Sequence, residues 1–177
     1  SMFKQEWWKR YGTEPATPKR IVQSWNTAQK AGELNDYSVC TTWAETDSGY
    51  YLVDVYRRKM EYPELKRMVS ALFTKWKPSA VVIEDAASGT GLIQDLQRET
   101  LMPVIPVRAT KDKVTRASIV TPLIESGRVY LPNNADWLAD FEAEAALFPV
   151  VAHDDQIDSM TQALTYLKRD VEIMIGR

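Results

Sequence analysis

The chain has 177 residues, enough for one domain with a full hydrophobic core. It is 45% hydrophobic and 26% charged, with a formal net charge of −2, so any nucleic-acid role must come from a local patch rather than from overall charge. One Cys and one His exclude an internal disulfide and a Cys/His zinc site built by this chain alone, no apolar run approaches a membrane span, and no signal peptide is visible.

Residues 1–19 read as a lead-in segment. "FKQEWWKRYG" suits a short helix and "TEPATPK" a Pro-broken linker. Trp7, Trp8 and Tyr11 are expected to dock on the domain or on a neighbour. Ser1-Met2 reads as a cloning scar before a native Met, which suggests an excised fragment of a protein from a reducing, intracellular compartment. The domain proper is expected over 20–177.

Three strands are predicted next: 20–26, 37–44 and 49–59, the last rich in Tyr and Val. The first ends in Asn26, followed by small residues and a polar loop up to Asn35-Asp36. "ETDSG" is a hairpin turn, so the three form an antiparallel meander. Cys40 lies in the second and packs as a small buried hydrophobe. Helix then alternates with strand. "YPELKRMVSALFTKWK" is a helix with Pro63 near its start. "AVVIEDAASG" is a buried strand ending in Glu84-Asp85, and "SGTGLIQDLQRE" starts the next helix. "MPVIPVR" is a short strand. "KDKVTRASIVTPLIESG" is helical, with Gly127 as its stop and Pro122 as a possible kink. "RVYLP" is extended, and helices follow over "ADWLADFEAEAALFP" and "DDQIDSMTQALTYLKR". In the first of these Trp137, Leu138, Phe141, Leu147 and Phe148 read as core, and Glu142 and Glu144 as surface. The order implies one mixed sheet with helices packed on it.

Two places stand out chemically. Glu84 and Asp85 sit at the C-terminal end of a buried strand, where ligands bind in open α/β sheets. Adjacent strand residues point to opposite faces, so at most one of them faces a site there. The alternative is that both are solvated or cap the following helix. Gly89-Thr90-Gly91 is only a weak phosphate-loop likeness, with no Lys-Ser/Thr pair, and nothing indicates an ATPase. Asp154, Asp155 and Asp158 fall within about 100° of one another on a helix. N-capping and the helix dipole account for Asp154 and Asp155 but less well for Asp158. Like charges crowd unless a cation lies between them, and hard divalent cations take oxygen ligands of this kind. Two basic clusters, Arg57-Arg58-Lys59 and Arg108/Lys111/Lys113/Arg116, are either solvated faces or phosphate contacts.

Taken together, "SWNTAQK…NDYSV", "YYLVDVYR…YPELK", "VVIEDAASGTGLIQDL", "KDKVTRA", "ESGRVYLP" and "FPVVAHDDQIDSMTQAL" resemble the C-terminal nuclease domain of the large terminase subunit of tailed bacteriophages and prophages. The resemblance runs from about residue 20 to 168. It implies an α/β, ribonuclease H-like fold: a mixed sheet of an antiparallel three-strand meander plus parallel strands, with helices on both faces. It also implies a metal-dependent endonuclease that cuts concatemeric viral double-stranded DNA during genome packaging. Implied partners are an ATPase motor domain earlier in the full-length protein, the portal protein and a small terminase subunit. The implied location is the host cytoplasm at the procapsid portal, with no membrane.

By the same resemblance, two Mg²⁺ or Mn²⁺ ions are held by position 26, Glu84, Asp155 and Asp154 or Asp158. One activates a water and the other stabilises the leaving oxygen. Arg57, Arg58, Lys111, Lys113 and Arg116 are the residues expected to contact DNA. Asp36 either shapes the nearby loop or serves as a ligand. Asn26 departs from the family, which has Asp in "SWDTA". A nearly isosteric amide keeps the fold and weakens metal binding. It is either a deliberate inactivation, favoured by the apparent scar at the N-terminus, or a natural divergence. Two other readings stay open: another ribonuclease H-like nuclease, such as a junction resolvase, and a non-catalytic DNA-binding or docking module.

Overall fold

The structure is a computed structural model that describes residues 1–28 and 36–174, with side chains up to residue 169. Most of the polar loop expected after Asn26 lies outside the described residues. Within them the chain forms seven strands and five α-helices. The strands are β1 (Lys9–Tyr11), β2 (Arg20–Asn26), β3 (Ser38–Thr46), β4 (Gly49–Arg58), β5 (Ala80–Glu84), β6 (Val104–Val107) and β7 (Val129–Pro132). They make one sheet in the order β1-β7-β4-β3-β2-β5-β6. The meander β2-β3-β4 is antiparallel, and β5 and β6 extend it in parallel beyond β2. The mixed sheet expected from the sequence is therefore present.

Strand alternation divides the core. Val22, Val39, Leu52 and Val82 point to one face, where α3 (Lys113–Glu125), α4 (Leu138–Leu147) and α5 (Asp155–Met174) bury Val120, Ile124, Phe141, Ile157, Met160 and Leu164. Trp25, Cys40, Val81 and Ile83 point to the other, under α1 (Tyr62–Trp76) and α2 (Ser88–Glu99), which contribute Leu65, Val69, Leu72, Leu92 and Leu96. Both faces are covered, as a β5 buried on each side requires. Gly127 follows α3 with φ of 78°, the left-handed stop expected of it.

Three expectations change. "FKQEWWKRYG" is a 3₁₀ turn (Gln5–Trp7) followed by β1, an edge strand parallel to β7. Phe3 and Trp8 are buried, and Phe3 stacks on Phe148 at 5.8 Å. A three-residue polar edge strand has no hydrophobic period to announce it; backbone pairing alone makes it. Leu147 is 59% exposed rather than core, while Phe141 and Phe148 are buried. Glu144 is buried, not on the surface, and its partners are described below.

Candidate active site at the ends of two parallel strands

Register and alternation bring position 26 and Glu84 together. β2 and β5 are parallel, with Trp25 opposite Ile83, so the next residues along, Asn26 and Glu84, are neighbours at the strand ends. Val22 and Val82 face α5, so Asn26 and Glu84 face it too, and Asp85 points the other way. Asp85 accepts a hydrogen bond from Thr90 Oγ1 at 2.8 Å and serves the start of α2. The alternation argument thus keeps Glu84 and releases Asp85. α2 is pressed against this strand end: a Cβ on Gly89 would lie 2.1 Å from the Glu84 carbonyl oxygen, and Ser88 Oγ donates to Ala28 O at 2.8 Å.

Polar contacts place α5 against β2. Ser24 Oγ donates to Ser159 O at 2.8 Å, and Ser159 Oγ donates to Ser24 O at 2.7 Å. Gln162 Nε2 donates to Ser24 Oγ and Trp25 O. Further along, an Arg20 guanidinium nitrogen donates to Leu167 O. The helix therefore runs opposite to β2. Four residues back from Ser159 along a helix cover ~6 Å, and two residues forward from Ser24 along a strand cover ~6.6 Å. Asp155 is thereby level with Asn26. None of these fastening residues was singled out in the sequence. A signal existed, because Ser24 shares a strand face with Asn26 and Ser159 shares a helix face with Asp155.

Glu144 anchors the start of α5. Its carboxylate accepts from Ile157 N at 2.7 Å and from Gln156 Nε2 at 2.9 Å. Burial pushes its pKa up to about 7, and the hydrogen bonds from Ile157 and Gln156 offset part of that rise. Only the packing of α4 on α5 brings the two together, so nothing local marks it.

The three aspartates divide. Lys113 Nζ lies 2.7 Å from Asp154 Oδ1 and 3.0 Å from Asp158 Oδ2. Asp154 and Asp158 are four residues apart and share the helix edge that Lys113 meets; Asp155, three residues before Asp158, lies on the adjoining edge of the same face. Burial raises the Asp158 pKa to about 6, opposed by Lys113. Burial also raises that of Asp155, reinforced by the charge of Asp154 and opposed by Lys113, His153 and Arg57.

The basic candidates separate likewise. Arg57 lies beside the site, its guanidinium carbon 3.5 Å from the Tyr37 ring centroid, and the Tyr37 ring meets His153 edge-on at 5.3 Å. Arg58 and Lys111 are exposed, and Arg116 Nε donates to Lys111 O at 3.0 Å. Lys113 is committed to the aspartates. Asp36 is half-buried at a bend just before β3.

The candidate donors are all oxygens, the set that hard divalent cations take, and an ammonium already lies between two of them. The donor type suits a cation of that class. Among the described residues no group of three Asp, Glu, His or Cys side chains is arranged to hold a metal ion. The place where the strand ends would supply another carboxylate is taken by the Asn26 amide.

A mixed sheet whose antiparallel meander is extended by parallel strands, with helices on both faces and Glu84 and the α5 aspartates at one end of it, is the arrangement of a ribonuclease H-like domain. A family model described as the terminase RNaseH-like domain matches residues 23–167, so the chain belongs to the terminase RNase H-like domain family. The large terminase from the thermophilic bacteriophage D6E has the same fold, with a TM-score of 0.70 at 14% identity over 94% of this chain and 44% of that one. The chain thus spans less than half the length of that protein. The large terminase nuclease from thermophilic phage G20c with bound magnesium aligns with a TM-score of 0.72 at 18% identity, over 93% of this chain and 96% of that one. The human cytomegalovirus terminase nuclease domain, soaked in Mn with an inhibitor bound, aligns at 0.65 and 13% identity over 98% of both chains. No curated protein sequence matches significantly.

Proposed function

We propose that this chain is the DNA-cutting domain of a viral large terminase, an endonuclease that hydrolyses phosphodiesters of concatemeric double-stranded DNA during packaging. The observation that carries the reading is the pair of Ser24–Ser159 hydrogen bonds, which lays α5 along β2 and supports bringing Asp155 to the strand ends at Asn26 and Glu84. The solved relatives with magnesium, zinc and cobalt bound support a divalent ion here. In this chain Glu84 and Asp155, with Asp154 or Asp158, would hold Mg²⁺ or Mn²⁺. A bound pair of such ions would supply Lewis-acid activation of water and stabilisation of the leaving 3′ oxygen. Arg57, beside Asp155, orients a phosphate oxygen. Arg58, Lys111 and Arg116 extend phosphate contact away from the centre.

Asn26 weakens this copy. An amide offers one neutral oxygen where a carboxylate would bridge, and one negative charge is lost from the set. We read it as an inactivating substitution. Asn26→Asp is expected to confer Mn²⁺- or Mg²⁺-dependent cutting of plasmid DNA. No cleavage above that of the Asn26 chain would remove position 26 from the site. In the full-length protein the domain would follow an ATPase motor and act with the portal and a small DNA-recognising subunit at the procapsid. The longer D6E protein, solved with ATP-gamma-S, is in keeping with that arrangement.

A second reading is a DNA-docking module that kept the fold without catalysis. Asn26, an amide at the strand end, favours it. Mn²⁺ binding that depends on Glu84 and Asp155 separates the two readings, since a docking module has no such dependence.

A further inference from the structure

Lys113 occupies a position that helix energetics disfavour. It is the first residue of α3, after the N-cap Asp112, whose carboxylate accepts from Thr115 N and Thr115 Oγ1. A cation in the first turn opposes the helix dipole, which favours anions there. Its ammonium lies 2.7 Å from Asp154 Oδ1 and 3.0 Å from Asp158 Oδ2, so the position is set by α5, across the helix–helix contact, rather than by α3 itself. The Asp158 side chain is only 8% exposed, so its nearest counter-charge is this ammonium, with Arg116 contributing from the next turn.

We propose that Lys113 is a built-in counter-cation and latch: in the metal-free state its ammonium holds Asp154 and Asp158, and it must leave them before a divalent cation can be held there. This rests on the metal-site reading above. Three aspartates within about one helical turn repel one another when ionised, and a positive charge held between two of them offsets part of that repulsion. The same bond competes with a metal for the same oxygens. On release, the ammonium, at the solvent-facing start of α3 and 46% exposed, is within the reach of a flexible four-carbon stem from a phosphate backbone lying over the site. Incoming DNA would then favour metal loading by giving Lys113 another anion. The latch gives metal binding and DNA binding a shared switch, with Asp154 and Asp158 as the groups that change partner.

The test uses the 177-residue chain. The ammonium ¹⁵N–¹H signal of Lys113 is followed by NMR during a Mg²⁺ titration, and Mn²⁺ affinity is measured by electron paramagnetic resonance for the unmodified chain, Lys113→Gln and Arg116→Gln. The latch predicts a slowly exchanging Lys113 signal that weakens as Mg²⁺ is added. It also predicts Mn²⁺ affinity raised at least roughly tenfold in Lys113→Gln and less than about threefold in Arg116→Gln, which removes the same charge without the contact. Affinity unchanged or weaker in Lys113→Gln, or raised equally in both variants, overturns the latch and leaves the metal site standing. Absence of Mn²⁺ binding in all three chains and also in Asn26→Asp removes the metal site and the latch together.

Discussion

Glu144 makes a pH dependence that runs opposite to ordinary acid denaturation. Its pKa lies at about 7 against an ordinary 4.5, because the carboxylate is buried against the start of α5. A carboxyl whose folded pKa is raised binds its proton more tightly in the native state. Its stabilisation is complete below 4.5 and is lost as the pH rises through 7. At 1.36 kcal/mol per pH unit, Glu144 alone makes folding about 3 kcal/mol less favourable at pH 8 than at pH 4. Asp158, raised to about 6, acts in the same direction. For a chain of this size ~3 kcal/mol corresponds to a melting shift of about 6–12 °C. Glu144→Gln keeps a carbonyl oxygen for Ile157 N–H, and a turn of the Gln156 amide restores the second bond. That variant is expected to match or exceed the parent in stability at pH 8 and to lose most of the difference between pH 8 and pH 5.5. The assay is urea unfolding of both chains in EDTA at pH 5.5, 6.5 and 8.0. The difference between the two chains isolates Glu144 from other titrating groups. A parent protein that weakens steadily from pH 8 to 5.5, or a Gln variant with the parent's full slope, refutes the reasoning.

Two backbone predictions concern the turn that presents Glu84. Ala87 has φ of 55° and ψ of −132°, a region that glycine tolerates and other residues do not, so Ala87→Gly should stabilise the domain by about 1 kcal/mol in thermal or urea unfolding. Gly89→Ala should destabilise it by about 2 kcal/mol or more, because the added methyl meets the Glu84 carbonyl at 2.1 Å and backbone must move. Equal stability of the Gly89→Ala chain would show that α2 is not pressed against the end of β5.

The legible part of this protein is what periodicity reports. Alternation in "AVVIE" lets only one of Glu84 and Asp85 face a site at the strand end, and helical spacing in "HDDQIDS" clusters the aspartates. Those two patterns, with the meander, outline the mixed sheet and pick out the candidate acids. What stayed hidden depends on packing between elements distant in sequence. Lys113 reads as one more basic residue until α3 lies on α5 and delivers it to Asp154 and Asp158. Glu144 lies in an acidic, helix-prone stretch that looks solvated, and only its place beneath Ile157 makes it a cap. β1 is too short and polar to carry a period and exists because β7 offers it an edge. Asn26 was legible as a departure only against the family's pattern; the structure adds its neighbourhood with Glu84, which chain order alone does not provide.

The central claim is that residue 26, Glu84 and Asp155 form one metal centre. A Mn²⁺-soaked crystal of the Asn26→Asp chain, with the ion located by anomalous scattering, tests it most directly. The account predicts Mn²⁺ bound between Asp at position 26, Glu84 and Asp155. Mn²⁺ bound elsewhere, or no ion at that point at millimolar Mn²⁺, would contradict it.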